Sequence, residues 1–109
     1  MRFALISVFV VVAVVGCAKS PESISPSYVS ERLYYSWSCQ QLAEEDTRLA
    51  DAYVDAAKRQ KQARANDIAG VILIGLPVSS LSGSNIAPEI ARLKGEQAAI
   101  RNARRKKGC

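Results

Sequence analysis

Between positions 39 and 69 the chain contains neither glycine nor proline, and apolar residues recur there at Leu42, Leu49, Tyr53, Ala56 and Ala63. Spacings of seven, four, three and seven without a breaker predict one long helix carrying a single apolar stripe. Its start is also marked. Ser38 can cap the helix, Gln41 can return the hydrogen bond, and Trp37 and Leu42 flank the cap, which together make a capping box with a hydrophobic staple. Cys39 is then the first helical residue. A chain of 109 residues offers one other partner for that stripe. A second helix is predicted from about Asn85, with Pro88 tolerated in its first turn. Ile86, Ile90, Leu93, Gln97 and Ile100 alternate spacings of four and three, a short heptad-like seam, and Gly108 stands where a C-terminal cap belongs. The expected fold is all-α, an antiparallel two-helix hairpin with a short apolar bend segment, and no internal repeat is apparent.

The bend is the stretch IAGVILIGLPVSSL at 68–81, apolar all round. It is too short to span a bilayer, so a buried helix end or a re-entrant interfacial segment is expected. Pro77 should stop the first helix near Leu76, and 79–85 reads as a loop around Gly83. Gly70 and Gly75 have the spacing of a phosphate-binding loop, but Leu76 and Pro77 occupy the positions that need lysine and serine or threonine. No nucleotide site is expected.

At the front, Arg2, a continuous apolar run over 3–15 and a small residue at Gly16 make the three regions of a secretory signal peptide. Residues 14–17, Val-Val-Gly-Cys, resemble the lipobox of bacterial lipoproteins, in which the cysteine is lipid-modified and becomes the first mature residue. The resemblance implies a signal peptide at 1–16 and lipidation at Cys17, hence a membrane anchor. In a Gram-negative source, Ala18 and Lys19 carry no aspartate retention signal, which implies the outer membrane, facing the periplasm. Residues 17–27 are read as the lipidated cysteine and a flexible tether, since AKSPESISPS holds two prolines, four serines and one large apolar residue, Ile24. The helical domain is assigned to 28–109.

In an antiparallel pair, Cys39 at the first turn of one helix and Cys109 beyond the end of the other arrive at the same end. A disulfide between them fits the oxidising compartment and, closing a loop of about 70 residues, is worth about 4 kcal/mol in the chain-entropy model. A free or intermolecular thiol is the alternative. A reactive thiol at a helix N-terminus is a third reading, without the usual CxxC partner.

Charge is arranged in the same sense. Glu44, Glu45, Asp46, Asp51 and Asp55 occupy the first half of helix one; Arg101, Arg104, Arg105, Lys106 and Lys107 occupy the end of helix two. The two clusters should face each other, and each suits its own helix dipole. The basic end reads first as a solvated helix end and second as an anionic-surface patch, for lipid phosphates or peptidoglycan carboxylates. The net charge of +5 says nothing more specific. The chain has no histidine, so the commonest general base and metal ligand are missing. Glu44, Glu45 and Asp46 read as a solvated face; no catalytic residue, metal or cofactor is expected, and no enzyme. Tyr28, Tyr34, Tyr35 and Trp37 read as packing across the hairpin base, with a membrane-interface or glycan contact as the other option.

Taken together, Cys39-Gln40-Gln41-Leu42, Arg48-Leu49, the apolar 70–77, Ala91-Arg92-Leu93-Lys94-Gly95-Glu96 and the terminal Cys109 resemble a group of small proteobacterial envelope lipoproteins. The resemblance covers roughly 28–109 and implies an envelope lipoprotein without supplying an activity. The function expected is therefore a structural or interaction role at the envelope. The alternative is a membrane-active, lysis-type lipoprotein using 68–81. Expected partners are the membrane through Cys17 and an anionic envelope component or a protein, with no nucleic acid. A homo-oligomer is possible if the apolar stretch is left uncovered.

Overall fold

A computed structural model describes residues 18–109, and the signal peptide and Cys17 lie outside the described residues. The described residues are all-helical, without a strand. Two short 3-10 turns, Pro21–Ser23 and Glu31–Tyr34, precede α1 (Cys39–Ile74), the one-turn α2 (Val78–Leu81) and α3 (Ala87–Lys107). They group into two compact units. One contains 18–23 with Lys58–Ala87, the other Ile24–Ala57 with Pro88–Cys109, and α1 runs through both.

The expected capping box opens α1. The Gln41 amide donates to Ser38 Oγ at 3.1 Å and the Ser38 amide donates to Gln41 Oε1 at 2.8 Å. Trp37 stands edge to face on Tyr34, with ring centroids 5.0 Å apart. The helix stops two residues earlier than Pro77 alone would dictate. Gly75 takes φ 75°, and the Gly75 and Leu76 amides donate back to the Val71 and Gly70 carbonyls. A left-handed residue closes a helix most cheaply when it has no Cβ. Two further boundaries differ from expectation. Val78–Leu81 forms a helical turn rather than loop, and α3 begins at Ala87, where Asn85 Oδ1 accepts from the Ala87 amide.

In the unit that holds both helix ends, the first half of α1 packs along α3 with opposite direction. Cys39 is disulfide-bonded to Cys109 with Cα atoms 5.6 Å apart, Asp46 pairs with Arg104 at 2.9 Å, and Lys94 Nζ lies 6.0 Å from the centre of the Tyr53 ring. Leu42, Leu49, Ile90 and Ile100 are fully buried between them. Gly108, at φ 74°, turns the chain out of α3 toward the disulfide.

Residues 18–27 are not the flexible tether that their composition predicts. Ala18, Pro21 and Ile24 are buried; Lys19 O accepts from Gln60 Nε2 at 3.0 Å, and the Ser27 amide donates to the Ala91 carbonyl at 2.9 Å. Proline and serine content argued against a self-sufficient structure, but the segment does not order itself. It orders on the helices by giving its backbone groups partners there.

The closest approach in this docking is at Gly95. A Cβ built there would lie 2.1 Å from Ser27 O and 3.0 Å from Val29. Alanine gains about 1 kcal/mol of helix propensity over glycine, but overpacking against a backbone oxygen costs about 1–3 kcal/mol and forces 27–29 to move. Gly95→Ala is therefore expected to lower the urea midpoint at unchanged slope. A midpoint at or above that of the parent would remove the crossing.

Candidate functional site

The helix α1 carries two rows of residues spaced by seven. One is Leu42, Leu49, Ala56, Ala63 and Gly70, all buried, with side chains that shrink along the helix. The other, four residues on, is Asp46, Tyr53, Gln60 and Asp67, and each of these has a partner from elsewhere in the chain. Helical periodicity makes such rows neighbours on one face. The apolar row was legible through Ala63. The stripe read from the sequence also included Tyr53, which belongs to the other row; the polar members of that row were missed, although the same spacing of seven marks them.

In the unit built on Lys58–Ala87, the last two members of that row are fully buried. Gln60 donates to Lys19 O and to Asn85 Oδ1, and its Oε1 accepts from the Ile86 amide at 2.8 Å. Asp67 accepts from the Ala18 amide at 2.7 Å, from the Ser80 amide at 2.8 Å and from Ser80 Oγ. Burial pushes the Asp67 carboxyl up, but hydrogen bonds from the Ser80 hydroxyl and from the Ser80, Ala18 and Ser79 backbones outweigh it, and the net shift is downward. The carboxylate thus ties Ala18 and α2 to one point on α1.

Beyond that point, along the end of α1 and on α2, several large apolar side chains are exposed. Leu73 is 80% exposed, Ile72 76%, Leu81 68% and Ile74 64%. Only Gly70 and Ser79 are buried between 68 and 81, so the expectation of a buried helix end fails. The cause is local: α1 ends at Gly75 and α2 is a single turn, which leaves most side chains of the stretch without a covering element. A Cβ on Gly70 would lie 2.4 Å from Leu76 O, so backbone folds back on the helix where a larger residue would otherwise extend the apolar row. A shallow open depression beside the patch is lined by Ala18, Lys19, Arg64, Ile68, Val71 and Ile72 among others.

The chain matches no family model, no curated protein and no solved structure. Among the described residues, no helix is long and apolar enough to cross a membrane, and no three potential ligands cluster around a metal position.

In the other unit, the five basic residues singled out from the sequence divide. Arg104 is engaged with Asp46, as the facing clusters predicted. Lys106 pairs with Glu31 at 2.8 Å and donates to Tyr35 Oη, and Lys107 Nζ donates to Tyr35 O at 3.1 Å. The hydrogen bonds from Lys106 and Tyr35 hold the Glu31 carboxyl below its ordinary value, and the same contacts push the Lys106 ammonium up. Arg101 and Arg105 are exposed on α3. Much of the basic end is thus occupied by the 28–35 segment, in particular Glu31 and Tyr35. Among the aromatics, Tyr34 is buried, while Tyr28 is exposed. Glu45 is bonded to Arg48 one turn on, so the acidic face is partly self-paired.

Proposed function

We propose that this protein is a lipid-anchored component of a bacterial cell envelope, acylated at Cys17 and held at the periplasmic face of the outer membrane. Its role is structural or interactive rather than catalytic. The observation that carries this reading is the Cys39–Cys109 disulfide. Such bonds persist in oxidising compartments outside the cytoplasm, and the signal-peptide pattern and Cys17 of the sequence point to the same place. In this reading the helices form an antiparallel hairpin clasped at its open end, resembling the small proteobacterial envelope lipoproteins. Arg101 and Arg105, with what remains accessible of Arg104, Lys106 and Lys107, present positive charge to an anionic envelope component or a partner protein.

Intact mass of protein extracted from membranes, before and after reduction and alkylation, tests the reading. A chain beginning at an acylated Cys17, with two alkylatable thiols that appear only after reduction, is the expected result. An unacylated chain, or thiols that react without reduction, would sink it.

A further inference from the structure

We infer that the exposed apolar tip of the Lys58–Ala87 unit is a second membrane contact, which rests in the lipid interface beside the anchor. This deepens the lipid-anchor reading and rests on it. The argument begins with the composition of the tip. No charged side chain occurs from 68 to 88, and Ile72, Leu73, Ile74 and Leu81 are the most exposed aliphatic residues there. Exposed aliphatic side chains concentrated in one uncharged stretch mark an interaction site.

The chain's own connectivity selects the bilayer as occupant. Ala18 is held to Asp67 by a 2.7 Å hydrogen bond, and Asp67 immediately precedes the apolar stretch on α1. The seventeen residues that precede Ala18 hold the apolar run 3–15 and Cys17. Whether the run is retained or replaced by acyl chains on Cys17, a membrane-seeking group is attached next to the tip. A second copy of the chain would cover the same apolar residues but would give no reason for this adjacency. Charge agrees. Lys19 and Arg64 line one depression with Ile68, Val71 and Ile72, which places cations at the border of the apolar surface, where anionic headgroups lie. Of the acids in this unit, Asp67 is buried beneath its donors rather than presented to the surface, and the exposed Glu22 is paired with Lys61 at 3.6 Å. The tip adds a second apolar contact to that of the anchor and holds the unit in one orientation.

The test uses the full, membrane-extracted chain with Trp37→Phe and Leu73→Trp, so that the sole tryptophan reports on the tip. Leu73 is largely exposed, so the replacement leaves the core intact, and circular dichroism matching the parent verifies this. The protein is reconstituted into vesicles of phosphatidylethanolamine and phosphatidylglycerol, with and without brominated acyl chains. The expected result is blue-shifted emission, loss of most of the intensity with brominated lipid, and no release of an entrapped dye. Red, unquenched emission would overturn the assignment. So would a blue shift that bromine does not quench and that grows with the protein-to-lipid ratio, which would assign the tip to a second copy. Dye release on binding would replace a resting contact by perforation and overturn it likewise. The mass of the same preparation reports separately on Cys17. An unmodified cysteine removes the anchor reading, whereas unquenched emission from an acylated chain removes only the membrane contact of the tip.

Discussion

Cys39→Ser is expected to destabilise the protein by about 4 kcal/mol, the chain-entropy cost of opening a loop of this length. The closed segment has a sequence separation of 70. A domain of this size has a total stability of only about 5–15 kcal/mol. Loss of the bond therefore removes a large share of what holds the chain folded. The bond lies at an exposed end, with both cysteines accessible, so the serine itself disturbs no core packing and the effect acts through the unfolded chain. Thermal unfolding of parent and variant, each with and without reductant, measures it. Reductant should lower the melting temperature of the parent to that of Cys39→Ser and leave the variant unmoved. Equal melting temperatures in all four samples would show that the bond does not contribute to stability.

Asp67→Ala is expected to cost about 3 kcal/mol, because each buried donor left without an acceptor costs about 1–3 kcal/mol. The Ala18 and Ser80 amides and the Ser80 hydroxyl all lose their acceptor together. Hydrogen exchange should then accelerate at Ala18 and Ser80 in particular. The same carboxylate gives a pH dependence with a definite sign. Its pKa in the folded chain lies below the ordinary 3.8, so the unfolded chain binds the proton more readily. The contribution is complete above the unfolded value, at about pH 4 and higher, and is lost as pH falls through the lower folded value. Acid titration of the parent should therefore loosen the 18–23 segment only below about pH 4, and Asp67→Ala should lack that step. An identical acid profile in both proteins would contradict the role given to Asp67.

The sequence announces the two long helices because their signals are local. Ser38 and Gln41 cap a helix whatever surrounds it, Gly108 ends one, and the rows of seven need no knowledge of the partner. The cysteine pairing was legible for the same reason, since helix direction brings Cys39 and Cys109 to one end. Less legible were the features that depend on what lies across a gap. The serine and proline of 18–27 describe a segment that lacks its own core, and nothing local says that Gln60 and Asp67 will supply its hydrogen bonds. Likewise 68–81 reads equally as a buried or an interfacial segment. Its exposure follows from where Gly75 ends α1, and from the absence of any facing element within the described residues, which composition does not record. The basic end is visible as a cluster in the sequence, but its engagement by Glu31 and Tyr35 could not be anticipated from residues some seventy positions away.

The polar row on α1 has a consequence for how firmly the pairing of the helices is fixed. Apolar residues spaced by seven tolerate a slip of one heptad, because Leu, Ala or Ile arrives wherever an apolar group is needed. Asp46, Tyr53 and Gln60 do not tolerate it. After such a slip the Arg104 guanidinium would meet the Tyr53 ring instead of a carboxylate, and Gln60 would lose Asn85 and the Ile86 amide. Buried or half-buried polar groups of this kind select register at some expense of stability. The rarer residues of the seam thus decide which of several nearly equivalent alignments the chain adopts.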